Sequence, residues 1–437
     1  MLNLLGTQMC ACGKAHTDSI TQLAVGKGAL EKLPDYIKIL GGTKPFVLSD
    51  RNTFAAAGDE VCALLSRSDI PYAAYSFPHD HVVPDEKAVG EAILHFDSSC
   101  DVIIAVGSGV MNDIGKILSS ISGKKYIIVA TAPSMDGYAS DTSSMERSGL
   151  KVSLKYRCAD IIVGDTDILK NAPIHMLKSG LGDMLAKYVS IAEWRISHLI
   201  TGEYYCEAVA EMVRNALKKC VDNADGLLRR DDKAVEAVFE GLVYGGVAMS
   251  YAGMSRPASG VEHYFSHIWD MRGLQFGTQT ETHGIQCAWG TLLAAKLYDA
   301  LRTLKPDATK AIDFVNGFSY EAWKQELRAF LGSSAETMIA QEELEQKYDK
   351  YTHLKRLDKI IQNWDEILRI LNEELPSFET IATILDTIGI PKDLSAINVD
   401  SQTARLTFLA TKDIRDKYVL SRLAWDLGVL EDLSELL

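Results

Sequence analysis

The first 165 residues of this 437-residue chain alternate between short runs of β-branched and aliphatic residues and longer segments with helical periodicity. Helices are predicted at 29–40, 52–67 and 86–97. Strands are predicted at 20–25, 45–48, 72–76, 102–106, 126–130 and 160–163. Alternation of strands and helices at this spacing predicts a mostly parallel sheet with helices on its faces.

The pattern changes near Asp167, beyond which apolar residues recur at helical spacing and strand-like runs are few. A chain of 437 residues is also longer than one ordinary hydrophobic core requires. We therefore expect an α/β domain over residues 1–170 and an all-helical domain over residues 171–437.

A glycine turn follows the fourth predicted strand, in the segment DVIIAVGSGVMNDIGK. Gly107 and Gly109 allow a ligand to approach the backbone, and the helix that follows offers N–H groups to a pyrophosphate. The GxGxxG pattern is incomplete, because Asp113 lies near the position of its third glycine. The turn alone therefore leaves nucleotide binding and an ordinary strand–turn–helix open. The segment TAPSMDGYAS follows the next strand, and ligands of parallel sheets bind at these carboxyl ends.

Three histidines in the second half of the chain, with an aspartate about eighty residues before the first of them, have the spacing of metal ligands. His263 and His267 are four residues apart, so a helix presents both on one face. With His283 and Asp183 they provide several ligands for one divalent metal, and three ligands leave a coordination position for water or substrate. Each histidine taken singly is more typical of an ordinary core or surface position than of a metal ligand.

Bulk properties exclude several classes of partner. The formal net charge of −14 argues against nucleic acid and anionic membranes. No apolar run is long enough for membrane insertion, and the N-terminal residues lack the features of a secretory signal. Eight scattered cysteines are typical of reduced thiols, so we expect a cytoplasmic location.

Cys10, Cys12 and His16 form a cluster that resembles part of a metal site. The Cys-x-Cys spacing is tight for structural zinc, and no second cysteine pair stands nearby in the sequence to complete four ligands. From the sequence we interpret this cluster as an ordinary loop.

Five motifs together carry a resemblance to a known family: GSGVMND, TAPSMDGYAS, GLGDMLAKYVSIAEWRIS, SRPASGVEHYFSHIWD and THGIQ. In this order they resemble the glycerol-1-phosphate dehydrogenases, the bacterial members in particular. That family belongs to the wider group of iron-containing alcohol dehydrogenases, glycerol dehydrogenases and dehydroquinate synthases. The resemblance covers residues 10–300, roughly, and implies a Rossmann-like α/β N-terminal domain followed by an all-α C-terminal domain, the dehydroquinate synthase-like architecture.

The resemblance also implies site residues. Asp50 would meet the adenosine ribose of the cofactor, and Asp136 would hold substrate hydroxyl groups. The metal ligands would be Asp183, His263 and His283, with His267 beside the substrate. Asp183 and His267 would thus both face the substrate, and His267 and Asp136 would position or relay the proton. The remaining cofactor contacts would come from Gly109, Val110, Met111, Asn112 and Asp113 at the pyrophosphate and from Thr131, Ala132, Pro133, Ser134 and Ser140 along the cofactor.

One position separates this chain from the iron-dependent alcohol dehydrogenases, which have a histidine ligand one helical turn after the aspartate. Lys187 stands there, and a charged ammonium does not ligate a metal. Lys187 and Arg256 would instead neutralise a substrate phosphate or form ordinary ion pairs. We expect one divalent metal, zinc first, with nickel or iron as alternatives.

The activity implied by the resemblance is reversible reduction of dihydroxyacetone phosphate to sn-glycerol 1-phosphate with NAD(H) or NADP(H). Asp50 favours NAD(H), whereas the neighbouring Arg51 would accommodate NADP(H). A glycerol or other polyol dehydrogenase of the same fold is an alternative, as is a dehydroquinate synthase-like lyase, although Asp183 stands where such synthases have glutamate. We expect a homodimer acting on a phosphorylated triose.

Overall fold

The computed structural model describes residues 9–17, 20–79, 81–147, 150–391 and 393–437. The chain divides into two units. The first comprises residues 1–184 and 207–254, and the second comprises residues 185–206 and 255–437. The predicted domain boundary at residue 170 lies where strands give way to helices, and it stays a prediction. Helices beyond residue 170 also belong to the first unit.

Every strand that the sequence predicts is present in the first unit, and their bounds shift by at most a few residues. The strands are β1 (Gln22–Gly26), β2 (Pro45–Asp50), β3 (Ala73–Phe77), β4 (Val102–Gly107), β5 (Lys125–Ala130), β6 (Thr142–Arg147), β7 (Leu150–Lys155) and β8 (Ile161–Asp165). Six of them form a parallel sheet in the order β3-β2-β4-β5-β8-β1, and β6 and β7 form a separate antiparallel pair. The prediction of a parallel α/β fold is confirmed, whereas the β6–β7 pair is not predicted.

The sheet core is aliphatic because both faces of its central strands are covered. β4 and β8 are buried along their whole length. One face packs against helices through residues such as Leu33, Val61 and Leu65.

Helices make up most of the remaining described residues. In chain order they are α1 (Leu33–Ile39), α2 (Arg51–Thr53), α3 (Asp59–Arg67), α4 (Glu86–His95), α5 (Gly109–Ser122), α6 (Thr166–Leu169), α7 (Ile174–Thr201), α8 (Glu207–Asp222), α9 (Asp232–Ala252), α10 (Val261–Phe276), α11 (His283–Arg302), α12 (Ala308–Gly317), α13 (Tyr320–Leu331), α14 (Ala335–Glu345), α15 (Lys350–Gln362), α16 (Trp364–Glu374), α17 (Phe378–Thr387), α18 (Ser401–Thr411), α19 (Leu420–Asp426) and α20 (Leu430–Ser434). A π-helix (Phe54–Gly58) separates α2 from α3, so the helix predicted at 52–67 is not uniform.

The second unit is entirely helical over its described residues, which confirms the predicted all-α region. Trp289 and Trp425 are fully buried in it, and the Phe265 ring stacks on Phe408. None of the described helices combines the length and apolar character needed to span a bilayer.

Candidate active site

In the first unit, the order in which strands are added to the parallel sheet reverses between β2 and β4. The chain passes from β2 outward to β3 and then returns to place β4 on the other side of β2. Ligands of open α/β sheets bind beyond the carboxyl ends of strands at such a point. Here these ends are Asp50 on β2 and Gly107 on β4. Asp50 also caps the next helix, because one carboxylate oxygen accepts from the Thr53 N–H at 2.8 Å.

The glycine turn after β4 leads directly into α5, as predicted. A Cβ on Gly107 would lie 2.6 Å from Cβ of Met111, so only glycine permits this approach of strand and helix. Gly109 to Asp113 form the start of α5, where the N–H groups of Gly109, Val110 and Met111 have no acceptor within the helix, whereas the Asn112 N–H donates to the Ser108 carbonyl at 3.0 Å. The Asn112 side chain points away from this turn and donates to the Gly137 carbonyl at 3.0 Å. The turn therefore offers backbone N–H groups and a positive helix end to an anion.

The segment from Thr131 to Ser140 runs beside this turn. The Thr131 N–H donates to the Gly107 carbonyl at 3.1 Å, and the hydroxyls of Ser108 and Ser134 lie 2.5 Å apart. On its other side the segment contacts α7, where a Cβ on Gly180 would lie 1.8 Å from the Pro133 carbonyl oxygen. The predicted cofactor residues of both loops are therefore neighbours.

A buried lysine, absent from the sequence interpretation, holds the second half of this segment. Lys116 Nζ donates to the carbonyls of Gly137 at 2.6 Å and Thr142 at 2.8 Å, and to Oγ of Ser140 at 3.1 Å. Complete burial lowers the pKa of Lys116, because the charged form loses its hydration. Ser140 is thus fixed by Lys116 from within the protein.

Asp136 and Asp183 are directly connected. The Asp136 backbone N–H donates to Oδ2 of Asp183 at 2.9 Å. Asp183 lies on α7 and is fully buried, whereas Asp136 is half-buried. The hydrogen bond fixes the orientation of the Asp183 carboxylate, the oxygen donor that the sequence assigned to a metal.

The three histidines lie together in the second unit. His263 and His267 project from α10, and His283 is the first residue of α11. The ring centroids are 5.0 Å apart for His263 and His283, and 5.9 Å apart for His267 and His283. Gly290 makes this possible, since a Cβ there would lie 2.4 Å from the Glu262 carbonyl oxygen and would separate the two helices.

Two of these rings are oriented through Nδ1. His263 Nδ1 lies 2.8 Å from a Glu262 carboxylate oxygen, so Nδ1 carries the proton and Nε2 has a lone pair for a metal. His283 Nδ1 lies 3.0 Å from the Ser266 hydroxyl. The sequence interpretation included neither Glu262 nor Ser266, because each partnership depends on how α10 and α11 pack.

Cys287 is a further candidate ligand that the sequence interpretation missed. Its Sγ lies 3.6 Å from Nε2 of His283, and ligand atoms of His263, His283 and Cys287 all lie within 4.8 Å of one another. The signal was available, because Cys287 follows His283 by four residues on one helix. Two imidazole nitrogens and a thiol suit a borderline divalent metal such as zinc. Among the described residues, His267 is not part of this group.

A second carboxyl group lies close to Glu262. Oε2 of Glu193 and Oε2 of Glu262 are both within 2.7 Å of the point where a Cβ on Gly260 would lie. Glu193 accepts hydrogen bonds from the N–H groups of Val261 and Leu420 and from the Tyr298 hydroxyl. Burial, together with the Glu262 charge, raises the pKa of Glu193.

The two basic residues considered for substrate phosphate differ in their surroundings. Arg256 is buried, forms an ion pair with Glu203 at 2.7 Å, and donates further to Ser197 and to the Tyr418 carbonyl. Its guanidinium is therefore engaged inside the second unit, as expected for an ordinary buried ion pair. Lys187 lies on α7 and is fully buried.

Comparison with known proteins places these features in a family. A family model described as iron-containing alcohol dehydrogenase matches residues 24–173. A glycerol-1-phosphate dehydrogenase (NAD(P)+) of Halalkalibacterium halodurans is 33% identical over 312 residues, covering 70% of this chain and 77% of the relative. The enzyme of the same name from Bacillus licheniformis is 26% identical over 428 residues, covering 97% of this chain and 94% of the relative.

Solved structures agree on the fold. The glycerol dehydrogenase of Schizosaccharomyces pombe has a TM-score of 0.61 at 17% identity, covering 95% of this chain and 90% of that one. The maleylacetate reductase of Rhizobium sp. has a TM-score of 0.60 at 15% identity, covering 97% of this chain and 98% of that one. The solved structures show the fold, and the sequence relatives establish that the chain belongs to the glycerol-1-phosphate dehydrogenase family.

Proposed function

We propose that this protein catalyses the reversible, NAD(P)H-dependent and metal-dependent reduction of dihydroxyacetone phosphate to sn-glycerol 1-phosphate. The observation that carries the proposal is the pair of imidazoles of His263 and His283. Their Nδ1 atoms lie within hydrogen-bond distance of the Glu262 carboxylate and the Ser266 hydroxyl. Relatives named for this reaction cover most of the chain and support the substrate.

The proposed metal ligands are Asp183, His263 and His283. Each has a partner that fixes its orientation: the Asp136 N–H for Asp183, Glu262 for His263 and Ser266 for His283. A bound divalent cation supplies electrostatic stabilisation for the negative charge that develops on the substrate oxygen. Zinc suits this donor set, and nickel and iron are the alternatives.

The cofactor is proposed to bind along the first turn of α5 and the 131–140 segment. The turn from Gly109 to Asp113 would hold the pyrophosphate through the N–H groups at the start of the helix, and Asp50 would accept hydrogen bonds from the ribose. Thr131 to Ser134 and Ser140 would line the path to the nicotinamide, which supplies the hydride. The Lys116 contacts with Gly137 and Ser140 would keep this path rigid.

Substrate orientation and proton transfer are assigned to Asp136 and His267. The half-buried Asp136 carboxylate would accept hydrogen bonds from substrate hydroxyls. His267 lies beside His283 and is half-buried, so it would position the substrate or relay the proton that reaches the product oxygen. We further propose a homodimer in the cytoplasm.

The proposal is tested by following nicotinamide absorbance with metal-free protein reconstituted separately with Zn²⁺, Ni²⁺ or Fe²⁺. Each sample receives NADH or NADPH and either dihydroxyacetone phosphate or dihydroxyacetone. We expect metal-dependent oxidation with a strong preference for the phosphate. Preference for dihydroxyacetone would indicate a polyol dehydrogenase, and no absorbance change with either, despite bound metal and nucleotide, would contradict the proposed reaction.

A further inference from the structure

A tight turn near the N-terminus brings together three potential metal ligands outside the candidate active site. Met9 and Ala15 form an antiparallel bridge across the turn. Within it, the Cys10 N–H donates to the Lys14 carbonyl at 3.0 Å and the Gly13 N–H donates to the Cys10 carbonyl at 2.9 Å. Gly13 has a φ of 84°, which glycine adopts without strain.

The ligand atoms in this turn have the separations of a coordination site. Sγ of Cys12 lies 3.4 Å from Nε2 of His16, and the ligand atoms of Cys10, Cys12 and His16 all lie within 4.8 Å of one another. Tetrahedral zinc bonds of about 2.3 Å to sulfur and about 2.0–2.1 Å to nitrogen imply a sulfur–nitrogen separation of about 3.5 Å. Three ligand atoms this close together can share one ion.

The surroundings hold the turn in place within the first unit. The His16 side chain is 2% exposed, and its ring lies 5.2 Å from the Tyr251 ring near the end of α9. Lys14 Nζ donates to the Ala252 carbonyl at 3.3 Å. Cys10 and Cys12 are partly exposed and neither forms a disulfide, so an incoming ion can reach both thiols.

We propose that Cys10, Cys12 and His16 bind a second metal ion, zinc, whose role is structural. Thiolates with imidazole are the donor set that zinc prefers, and three protein ligands leave the fourth position for water or a further donor. The ion ties Cys10 and Cys12 to His16 within the turn, and the contacts of His16 with Tyr251 and of Lys14 with Ala252 hold the turn against the end of α9. The proposal goes beyond the proposed function, and the site shares no residue with the candidate active site. It also replaces the interpretation of this cluster as an ordinary loop.

Metal content distinguishes the two sites. Tag-free protein, purified under reducing conditions and loaded with Zn²⁺, is analysed for bound zinc as wild type, Cys12→Ser, His263→Ala and the double variant. We expect about two equivalents in the wild type, one in each single variant and none in the double variant. Cys62→Ser is the matched control, because it removes a buried thiol of the same unit and should keep both equivalents. An unchanged zinc content in Cys12→Ser would overturn the proposal.

Cobalt provides a spectroscopic test that is independent of activity. Co²⁺ is added in a Cys287→Ala background, so that thiolate-to-cobalt absorption reports only the N-terminal cysteines among the candidate ligands. We expect this absorption in the background protein, its loss in Cys10→Ser and Cys12→Ser, and its retention in His16→Cys. His16→Phe, which fills the same volume without a donor atom, should weaken Co²⁺ binding at least tenfold. Equal binding by His16→Phe and the background protein would show that His16 only packs.

Discussion

The orientation of single side chains decides how firmly the proposed metal is held. The Glu262 carboxylate fixes His263 through Nδ1, and loss of such a partner typically lowers metal affinity 10- to 100-fold, roughly. We therefore predict this loss for Glu262→Ala and a smaller one for Glu262→Gln, whose amide oxygen still accepts the Nδ1 proton. Competition with a chromogenic chelator measures both. Equal affinity of Glu262→Ala and wild type would contradict the orienting role.

His263 and His267 should behave differently although they lie on one face of α10. We predict that His263→Ala loses the active-site metal and activity, because a ligand is removed, while any metal at Cys10, Cys12 and His16 is kept. His267→Ala should keep the metal and lose turnover or substrate affinity. Metal analysis alongside steady-state kinetics separates the two outcomes. Comparable metal loss in both variants would make His267 a ligand.

Glu193 should make stability depend on pH. Its pKa is raised by burial and by Glu262, so the folded state holds this proton more tightly than the unfolded state. The stabilisation that protonated Glu193 provides is therefore present below pH 4.5, the ordinary pKa of glutamate. It is lost as the pH rises through the pKa of Glu193 in the folded state. We predict that, as the pH rises through this range, the Tm of metal-free wild type falls relative to the Tm of Glu193→Gln. Parallel plots of Tm against pH for the two proteins would show that Glu193 is not protonated in the folded state.

Some residues of the candidate sites are predictable from the sequence, and others are not. His263, His267 and His283 were predictable from their spacing, and the structure brings these three together in the second unit. Glu262, Ser266 and Lys116 were not predicted, because their roles arise from contacts between separate elements. Cys10, Cys12 and His16 were recognised as a cluster but interpreted as a loop, since the sequence does not show the turn that gathers their ligand atoms.

Close approaches of elements depend on glycines at two sites. Gly107 lets β4 meet α5 where the cofactor is proposed to bind, and Gly290 lets α11 meet α10 behind His263. We predict that Gly107→Ala weakens nucleotide binding while metal affinity is kept, and that Gly290→Ala does the reverse. Each clash should also lower the free energy of unfolding by about 1–3 kcal/mol.

Gly90 supplies the matched control for these substitutions. It lies within α4, and a Cβ there would meet no atom within 4 Å. Gly90→Ala should therefore raise the free energy of unfolding by about 0.5–1 kcal/mol and leave both affinities unchanged. Nucleotide and metal titrations, with denaturant unfolding, test all three variants. If Gly107→Ala and Gly290→Ala each lost both nucleotide and metal affinity, general unfolding would explain the result, and a local separation of two elements would not.

The elements that the sequence predicted are those with an apolar signature. The central strands β4 and β8 of the parallel sheet are dominated by aliphatic residues because both of their faces are buried. The β6–β7 pair was missed because its inward positions on β6 include Ser143, a polar residue that is fully buried. Alternation of burial is present there without alternation of hydrophobicity, so periodicity does not reveal it.

For the whole molecule, ligand binding should appear as thermal stabilisation. A ligand that binds only the folded state at roughly 100 times its Kd adds about 2.7 kcal/mol. We predict that Zn²⁺ raises the Tm of metal-free wild type and that His263→Ala retains only the part due to Cys10, Cys12 and His16. The double variant His263→Ala with Cys12→Ser should show no zinc-dependent shift. A full shift in that variant would place the stabilising metal elsewhere.

The configuration of the product formed by the intact, metal-loaded protein is the sharpest test of the proposed reaction. Dihydroxyacetone phosphate is reduced with NADH or NADPH, and the glycerol phosphate formed is offered to a dehydrogenase specific for sn-glycerol 3-phosphate. We predict stoichiometric product that this enzyme does not oxidise, which identifies sn-glycerol 1-phosphate. Complete oxidation of the product, or no glycerol phosphate at all, would contradict the proposed function.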